Sequence, residues 1–381
     1  MVLNIISSHM GYNVLGVNEV VESGARHQAD RMSLRGGLHQ QTTPTIVMVE
    51  PALFRHNFDT ARDNKYQERP ANMTEDEVDA LAQGREAAFA AHQGLRERTE
   101  ELDRDTHQRA SQEFANMVAV LKGKLIQVIV VPDVIDHDTP DSVFPNNPLS
   151  LHPEDGGIAI RYPMRNSSRR AEKRLPITDV LTSEFGFKIG HTVDFSDREA
   201  EGHFVEGTGS MVLDRTNKLS YASLSQRTTH EGVEAFADTM GYRAITFRTF
   251  DRIRQTDVYH ANVVMSVGSQ FAVICAEAII DPVEREAVLD SLHETGKDII
   301  EITTEQMNGF AGNILEVRNA NGNPVIVMSE TAYDTFTPQQ IETLSHYGEI
   351  VSTPIPTIEK HGGGSARCMM LEVHLPKEEL H

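Results

Sequence analysis

The 381-residue chain contains no tryptophan and two cysteines, Cys275 and Cys368. Two thiols this far apart, in very different company, exclude a disulfide framework. Aromatic residues make up 6% of the chain, so large anchors are scarce. Positive charge is short too: 35 Lys and Arg face 56 Asp and Glu, a formal net of −21. That balance repels a phosphate backbone and an anionic leaflet alike, which excludes nucleic acid and membrane as partners. No apolar run approaches the roughly 18 to 20 residues a bilayer requires, and the opening MVLNIISSHMGYN lacks a basic stretch leading into an apolar one. The expectation is a cytoplasmic protein.

What is present describes an ordinary globular chain, 39% hydrophobic and 24% charged, long enough for one large domain or two medium ones. Residues 1–43 show no period and form an N-terminal extension. From there to the end no shift in composition marks a boundary, so residues 44–381 are taken as one domain. TIVMVEP (45–51) and LIQVIVV (125–131) are β-branched runs that predict strands. Between them lies a helical stretch, about 74–121, opened by a Thr74/Glu77 capping box, divided at Gly84 and Gly94 and stopped by Gly123. Its run RERTEELDRD is a solvated helix face. Downstream, short strands alternate with helices near 168–174, 230–241, 282–295 and 337–346, with no textual repeat.

Four segments put a polar or reactive residue at a strand end or beside glycines. DTPDSVFPNN (138–147) carries Asp141, Asn146 and Asn147, and taken alone is a turn. EGTGSMVLD (206–214) sets Glu206 ahead of two glycines; without a third glycine and a following helix it is no dinucleotide fingerprint. DVYHANVVMSVG (257–268) holds His260 inside a strand-like run, where a structural histidine is the common case. HGGGSARCMMLEVHL (361–375) leads three glycines to Cys368 as a β-rich run begins. Cys275, in QFAVICAEAII, is a core thiol. Glu206, His260 and Cys368 together supply a nucleophile, its base and an orienting carboxylate; a chain this long offers many such trios, so the structural readings stay open on this ground alone. Zinc is set aside, because there is no HExxH or paired CxxC and His152, His203, His230 and His361 are unrelated in spacing. So is a lipase reading of HGGG, for want of a GxSxG elbow.

In this order, PDSVFPNN, RYPMRNSSRRAEKR, EGTGSMVLD, SLSQRT, VYHANVVM, FAGNILEV and GGGSARCM, with the early VEPALFRHNFDTARDNKYQ, resemble the guanidino-group-modifying enzymes of the pentein superfamily. That group comprises arginine deiminases, dimethylarginine dimethylaminohydrolases and amidinotransferases. The PNN and YPM segments are most similar to the arginine deiminase-related branch that includes citrulline-utilisation hydrolases. The resemblance covers about residues 45–377. It implies an α/β propeller of five pseudosymmetric ββαβ modules around a central channel, with the helical stretch at 74–121 as an insertion.

The resemblance also assigns roles. Cys368 becomes the nucleophile, His260 the general acid and base, and Glu206 its orienting carboxylate. Asp141, with Asn146 and Asn147, faces the guanidino or ureido nitrogens, and Arg227 grips the substrate's α-carboxylate. Asn147 stands where deiminases show a second carboxylate; an amide can donate to a ureido oxygen, which tilts the expected substrate toward citrulline or toward a dihydrolase working through it. No cofactor or metal is implied. The expected partner is a small guanidino or ureido molecule, with a homo-oligomer left open. The alternatives are an amidinotransferase built on the same triad and a non-catalytic binding pentein.

Overall fold

Strands form where the β-branched runs predict them, and their pairing repeats one plan five times. A computed structural model describes residues 40–134 and 138–377. In it, Leu149–His152, Ile158–Arg161 and His191–Asp194 form a three-stranded sheet whose first pair is antiparallel and second parallel. Met211–Asp214, Leu219–Leu224 and Arg243–Arg248 repeat this, as do Met265–Val267, Phe271–Ile274 and Asp298–Glu301. So do Leu315–Arg318, Pro324–Ser329 and Glu349–Thr353. The fifth sheet joins the two ends of the domain: Leu371–Glu372 pairs antiparallel with Thr45–Glu50, which pairs in parallel with Gln127–Pro132. These are the five modules of the pentein fold, with mixed α/β composition.

A parallel neighbour cannot be reached through a tight turn, so each module needs a crossover, and each crossover is helical. Ile177–Ser183, His230–Met240 and Pro282–Glu294 serve three modules, and Glu330–Thr335 with Pro338–Ser345 a fourth. The stretch expected as an insertion occupies the same place in the closing module. Its capping box at Thr74 and Glu77 opens Glu75–Gln83; Arg85–Ala91 and Leu95–Gly123 follow, with breaks at Gly84 and Gly94. The last of these buries Ala110, Phe114, Met117 and Leu121 in one cluster with Ile46, Met48, Val128 and Cys368.

Two local expectations are corrected. The run around His260 is not a strand: Ala261–Val264 is a helical turn with His260 at its N-cap, and pairing begins only at Met265. Likewise Ala366–Met369, which contains Cys368, is a 3-10 turn, and only Leu371–Glu372 is paired. The extension expected over residues 1–43 lies outside the described residues except for its last four. Of these, Gln41 is buried and its Nε2 donates to the carbonyls of Leu213 and Val267 at 2.9 Å each, so it belongs to the domain. Among the described residues no helix is long and apolar enough to cross a membrane.

Candidate active site

Each module's first strand is preceded by a turn, and the five turns meet. They carry Asn146 and Asn147, Glu206, His260 with Asn262, Asn313, and Cys368. Hydrogen bonds run from turn to turn: Thr208 N to Asn146 O at 3.0 Å, His260 Nε2 to Glu206 Oε2 at 2.9 Å, Asn313 Nδ2 to Asn262 O at 2.9 Å and Arg367 N to Asn313 O at 3.3 Å. Between Cys368 and the first turn the link is apolar: a Cβ on Gly362 would fall 2.6 Å from the Phe144 ring. A ring of this kind fixes side chains far apart in sequence without a long rigid element beneath them.

Cys368 is buried, and its Sγ accepts from Nδ2 of both Asn262 and Asn313 at 3.3 Å. Two side-chain amides from neighbouring turns thus converge on one sulfur. Cys275 lies elsewhere, packed among Val273, Phe271 and Ile302, and burial pushes its thiol up to about 11.

His260 and Glu206 form a tight buried pair. Burial alone would raise the Glu206 carboxyl, but the Arg227 guanidinium, the hydrogen bond and charge of His260, and Arg169 outweigh it and bring it to about 2. Its other oxygen accepts from the backbone N–H of Arg165 at 3.1 Å. Burial pushes His260 below the usual imidazole range, against the pull of Glu206. The pair is therefore a carboxylate beside a neutral ring at pH 7. An ionised carboxylate only accepts, so Nε2 carries the proton and Nδ1 the lone pair. The EGTG motif owes its second glycine to this ring: a Cβ on Gly209 would lie 2.6 Å from His260 Nδ1 and 2.3 Å from Asn147 Nδ2.

Cys368, His260, Asp141, Asn147 and Arg227 line one narrow cavity, with Arg169 and Tyr259. Asp141 Oδ2 accepts from Asn57 Nδ2 at 2.8 Å and Thr60 Oγ1 at 3.2 Å, while Oδ1 is buried with no partner among the described residues. Burial pushes its carboxyl above the usual range, and Arg169 and Asn57 only partly offset this. Asn147 Oδ1 accepts from Arg169 at 2.8 Å; among the described residues its Nδ2 is held only by Glu206 O at 3.5 Å. Asn146 does not line the cavity; its Nδ2 donates to Thr208 Oγ1 at 3.3 Å and fastens two turns together.

Arg227 is already engaged. Its Nε donates to Asp63 at 2.8 Å, a second nitrogen pairs with Asp63 and Thr60 O, and its plane lies 5.0 Å from the Tyr259 ring centroid. It also lines an outer cleft with Arg62, Ser225, Gln226 and Asp257, so it stands between cavity and exterior.

Several working residues were not singled out from sequence. Arg169 forks onto Glu172 at 2.9 and 2.8 Å while reaching Asn147, and Asn262, Asn313 and Asp63 complete the shell. All four lie within segments that carry the resemblance; Asn262 and Asn313 also stand just ahead of Met265–Val267 and Leu315–Arg318, while Arg169 and Asp63 have no such position. Asn57 and Thr60 lie in the same early segment as Asp63, VEPALFRHNFDTARDNKYQ.

The fold has solved counterparts. The N-terminal domain of ArgZ, an arginine dihydrolase from the ornithine-ammonia cycle in cyanobacteria, aligns over 86% of this chain and 97% of its own at 17% identity, with a TM-score of 0.60. AgrE, in a complex with L-arginine, aligns over 88% of this chain and 41% of its own at 16% identity and a TM-score of 0.61. A dimethylarginine dimethylaminohydrolase, seen as an adduct with S-methyl-L-thiocitrulline, aligns over 87% and 99% at 16% identity and a TM-score of 0.54. No curated protein matches by sequence. The fold and its module plan are those of the pentein guanidino-group-modifying enzymes, the superfamily identified from the motifs. The chain belongs to the family described as N,N dimethylarginine dimethylhydrolase, eukaryotic, whose sequence model matches residues 86–375. It is thus a member of a family of guanidino-group hydrolases.

Proposed function

We propose that this protein hydrolyses a C–N bond of a guanidino amino acid through a covalent intermediate on Cys368. The observation that carries this is the placing of Cys368, with two amide donors on its sulfur, in one cavity with His260 and the unpartnered Asp141 oxygen. Cys368 attacks the central carbon, and its proton passes to His260, whose imidazolium is stabilised by Glu206. His260 returns that proton to the departing nitrogen, leaving a thiouronium intermediate. It then deprotonates water, which attacks the same carbon and frees the sulfur. Asp141 Oδ1 accepts from the substrate's N–H groups. Arg227, at the boundary with the outer cleft, faces the amino-acid end.

Around the cavity three guanidinium groups, Arg165, Arg169 and Arg227, meet four carboxyl groups, Asp63, Asp141, Glu172 and Glu206, in ion pairs of 4.0 Å or less. Burial pushes Glu172 up to about 7 and Asp141 above its usual range, so a bound guanidinium favours their ionised forms and is favoured by them; a urea is not. Citrulline is kept as a second reading by Asn147, whose weakly held Nδ2 can turn to donate to a ureido oxygen. A dihydrolase taking arginine through citrulline to ornithine uses both features.

The test is product release from arginine, methylated arginines and citrulline side by side, reading ammonia, methylamines, citrulline and ornithine. Loss of all turnover in Cys368→Ser is expected. Full turnover in that variant overturns the mechanism; a thiol-reactive Cys368 with no turnover of any of these substrates overturns the substrate class.

A further inference from the structure

One short segment of this acidic chain is densely basic. Residues 161–174 hold six of the 35 basic residues and a single acidic one, Glu172. The 3-10 stretch Ser167–Arg174 sorts them onto two faces. Arg169 and Glu172 are buried, paired with each other and turned toward Asn147. Arg174 is exposed, Arg170 and Lys173 are half-buried, the latter donating to Ser196 Oγ at 2.8 Å, and with Arg161, Asp194 and Ser196 these three line an open cleft of about 400 Å³.

The acids at hand do not balance these cations. Glu199 alone serves both Arg170, at 3.3 Å, and Lys173, at 2.6 Å, and also accepts from Met164 N. Asp194 approaches Arg161 only to 3.9 Å, beyond hydrogen-bonding distance, and its Oδ1 is taken by Ser196 N. Arg174 is exposed and has no ion pair or hydrogen bond among the described residues. Four cations against two carboxylates leave two positive charges unneutralised on a protein of net −21. A merely solvated basic face needs no concavity and gains nothing from holding like charges together.

We propose that this cleft binds a small anion carrying at least two negative charges, of the phosphate class. Guanidinium forks match phosphate oxygens in pairs, Lys173 adds a point charge, and the volume falls within the range of small-molecule sites. The site is separate from the reaction cavity and does not depend on the function proposed above.

The experiment is isothermal titration of the full chain with inorganic pyrophosphate and, separately, with ADP, at ionic strength held constant with NaCl. Saturable binding of both identifies the phosphates themselves as the recognised group; binding of ADP alone adds a nucleoside contribution, and either outcome supports the site. In Arg161→Glu/Arg174→Glu the affinity falls about tenfold or more, with turnover and circular dichroism unchanged. Arg161→Gln/Arg174→Gln, which removes charge without reversing it, gives the same ordering if reversal disturbs folding. Absence of saturable binding of both probes, or equal affinity in wild type and variant, overturns the proposal.

Discussion

The side-chain amide of Asn313 donates to Cys368 Sγ across 3.3 Å, matching the donation from Asn262 on the neighbouring turn. A hydrogen bond to an anion is worth about 1.5 to 3 kcal/mol, roughly ten- to a hundredfold. Asn313→Ala and Asn262→Ala are therefore expected to slow alkylation of Cys368 by iodoacetamide at pH 7 by about tenfold each, and kcat by at least as much. Asn313→Ala has the larger effect on melting temperature, because it also loses the bond to Asn262 O. Unchanged alkylation in both variants would show that the amides do not activate the sulfur.

Glu206 and His260 make a second test. In Glu206→Gln the amide still accepts from Nε2, but it cannot stabilise an imidazolium and leaves Arg227 and Arg169 with less countercharge. A fall in kcat of about 10³-fold is expected, by analogy with neutralised carboxylates in other triads, with a small change in KM. A loss confined to KM would assign Glu206 to substrate binding instead.

The same carboxyl sets an acid limit. Its folded value of about 2 lies below the ordinary 4.5, so the stabilisation it provides is present above pH 4.5 and is lost as pH falls through 2. The gap corresponds to stability on the order of 3 kcal/mol. Urea melts between pH 6 and 2.5 should show wild type losing stability more steeply than Glu206→Gln below pH 4.5. Parallel curves would mean that the pair contributes no net charge stabilisation.

The close approach at Gly209 bears on activity as well as on stability. A methyl there meets Asn147 Nδ2 and His260 Nδ1, both site atoms, so Gly209→Ala must displace the ring it touches. Loss of at least about 10²-fold in kcat/KM is expected, alongside destabilisation of about 1 to 3 kcal/mol. Activity within a few-fold of wild type would show that the ring has another position from which it works.

Much of the site was legible in the sequence because its motifs stand in the order of a known superfamily, whereas the regular spacing of its turns shows only in the structure. Glu206 and His260 are 54 residues apart, Asn313 and Cys368 55, and Asn147 and Glu206 59. The module is thus a spacing between functional turns, invisible as text because crossovers of different length and composition fill the intervals. The turns themselves were not legible. VYHANVVMSV favours a strand by propensity, yet Ala261–Val264 coils into a helical turn packed beside Gly207–Ser210, a tertiary choice that four residues cannot announce by period. Arg169 stayed hidden for a related reason: in RRAEKR nothing distinguishes the one arginine turned inward until the 3-10 winding is known. The crossover at 74–121 was visible as helix, but its equivalence to the four others needed the pairing of Thr45–Glu50 with Gln127–Pro132.

That crossover also reaches the nucleophile. Glu113, on Leu95–Gly123, accepts from the backbone N–H of Thr357 at 2.9 Å and Ile358 at 3.0 Å, the first free donors of Pro356–Gly362, since Pro356 at its start has none. This short helix ends at Gly363, whose φ of +64° turns the chain toward Cys368 and whose carbonyl accepts from Tyr259 OH at 2.5 Å. Glu113 thus acts as a remote cap on the segment that delivers the sulfur, worth about 1 to 2 kcal/mol. Glu113→Ala should lower the melting temperature and reduce kcat several-fold with KM unchanged, because the substrate's contacts lie on other turns. Glu113→Gln keeps one acceptor oxygen and should fall between the two. A drop in stability with kcat intact would make Glu113 a structural cap only, and equal effects of Ala and Gln would show that its charge, rather than its hydrogen bonds, holds the helix in place.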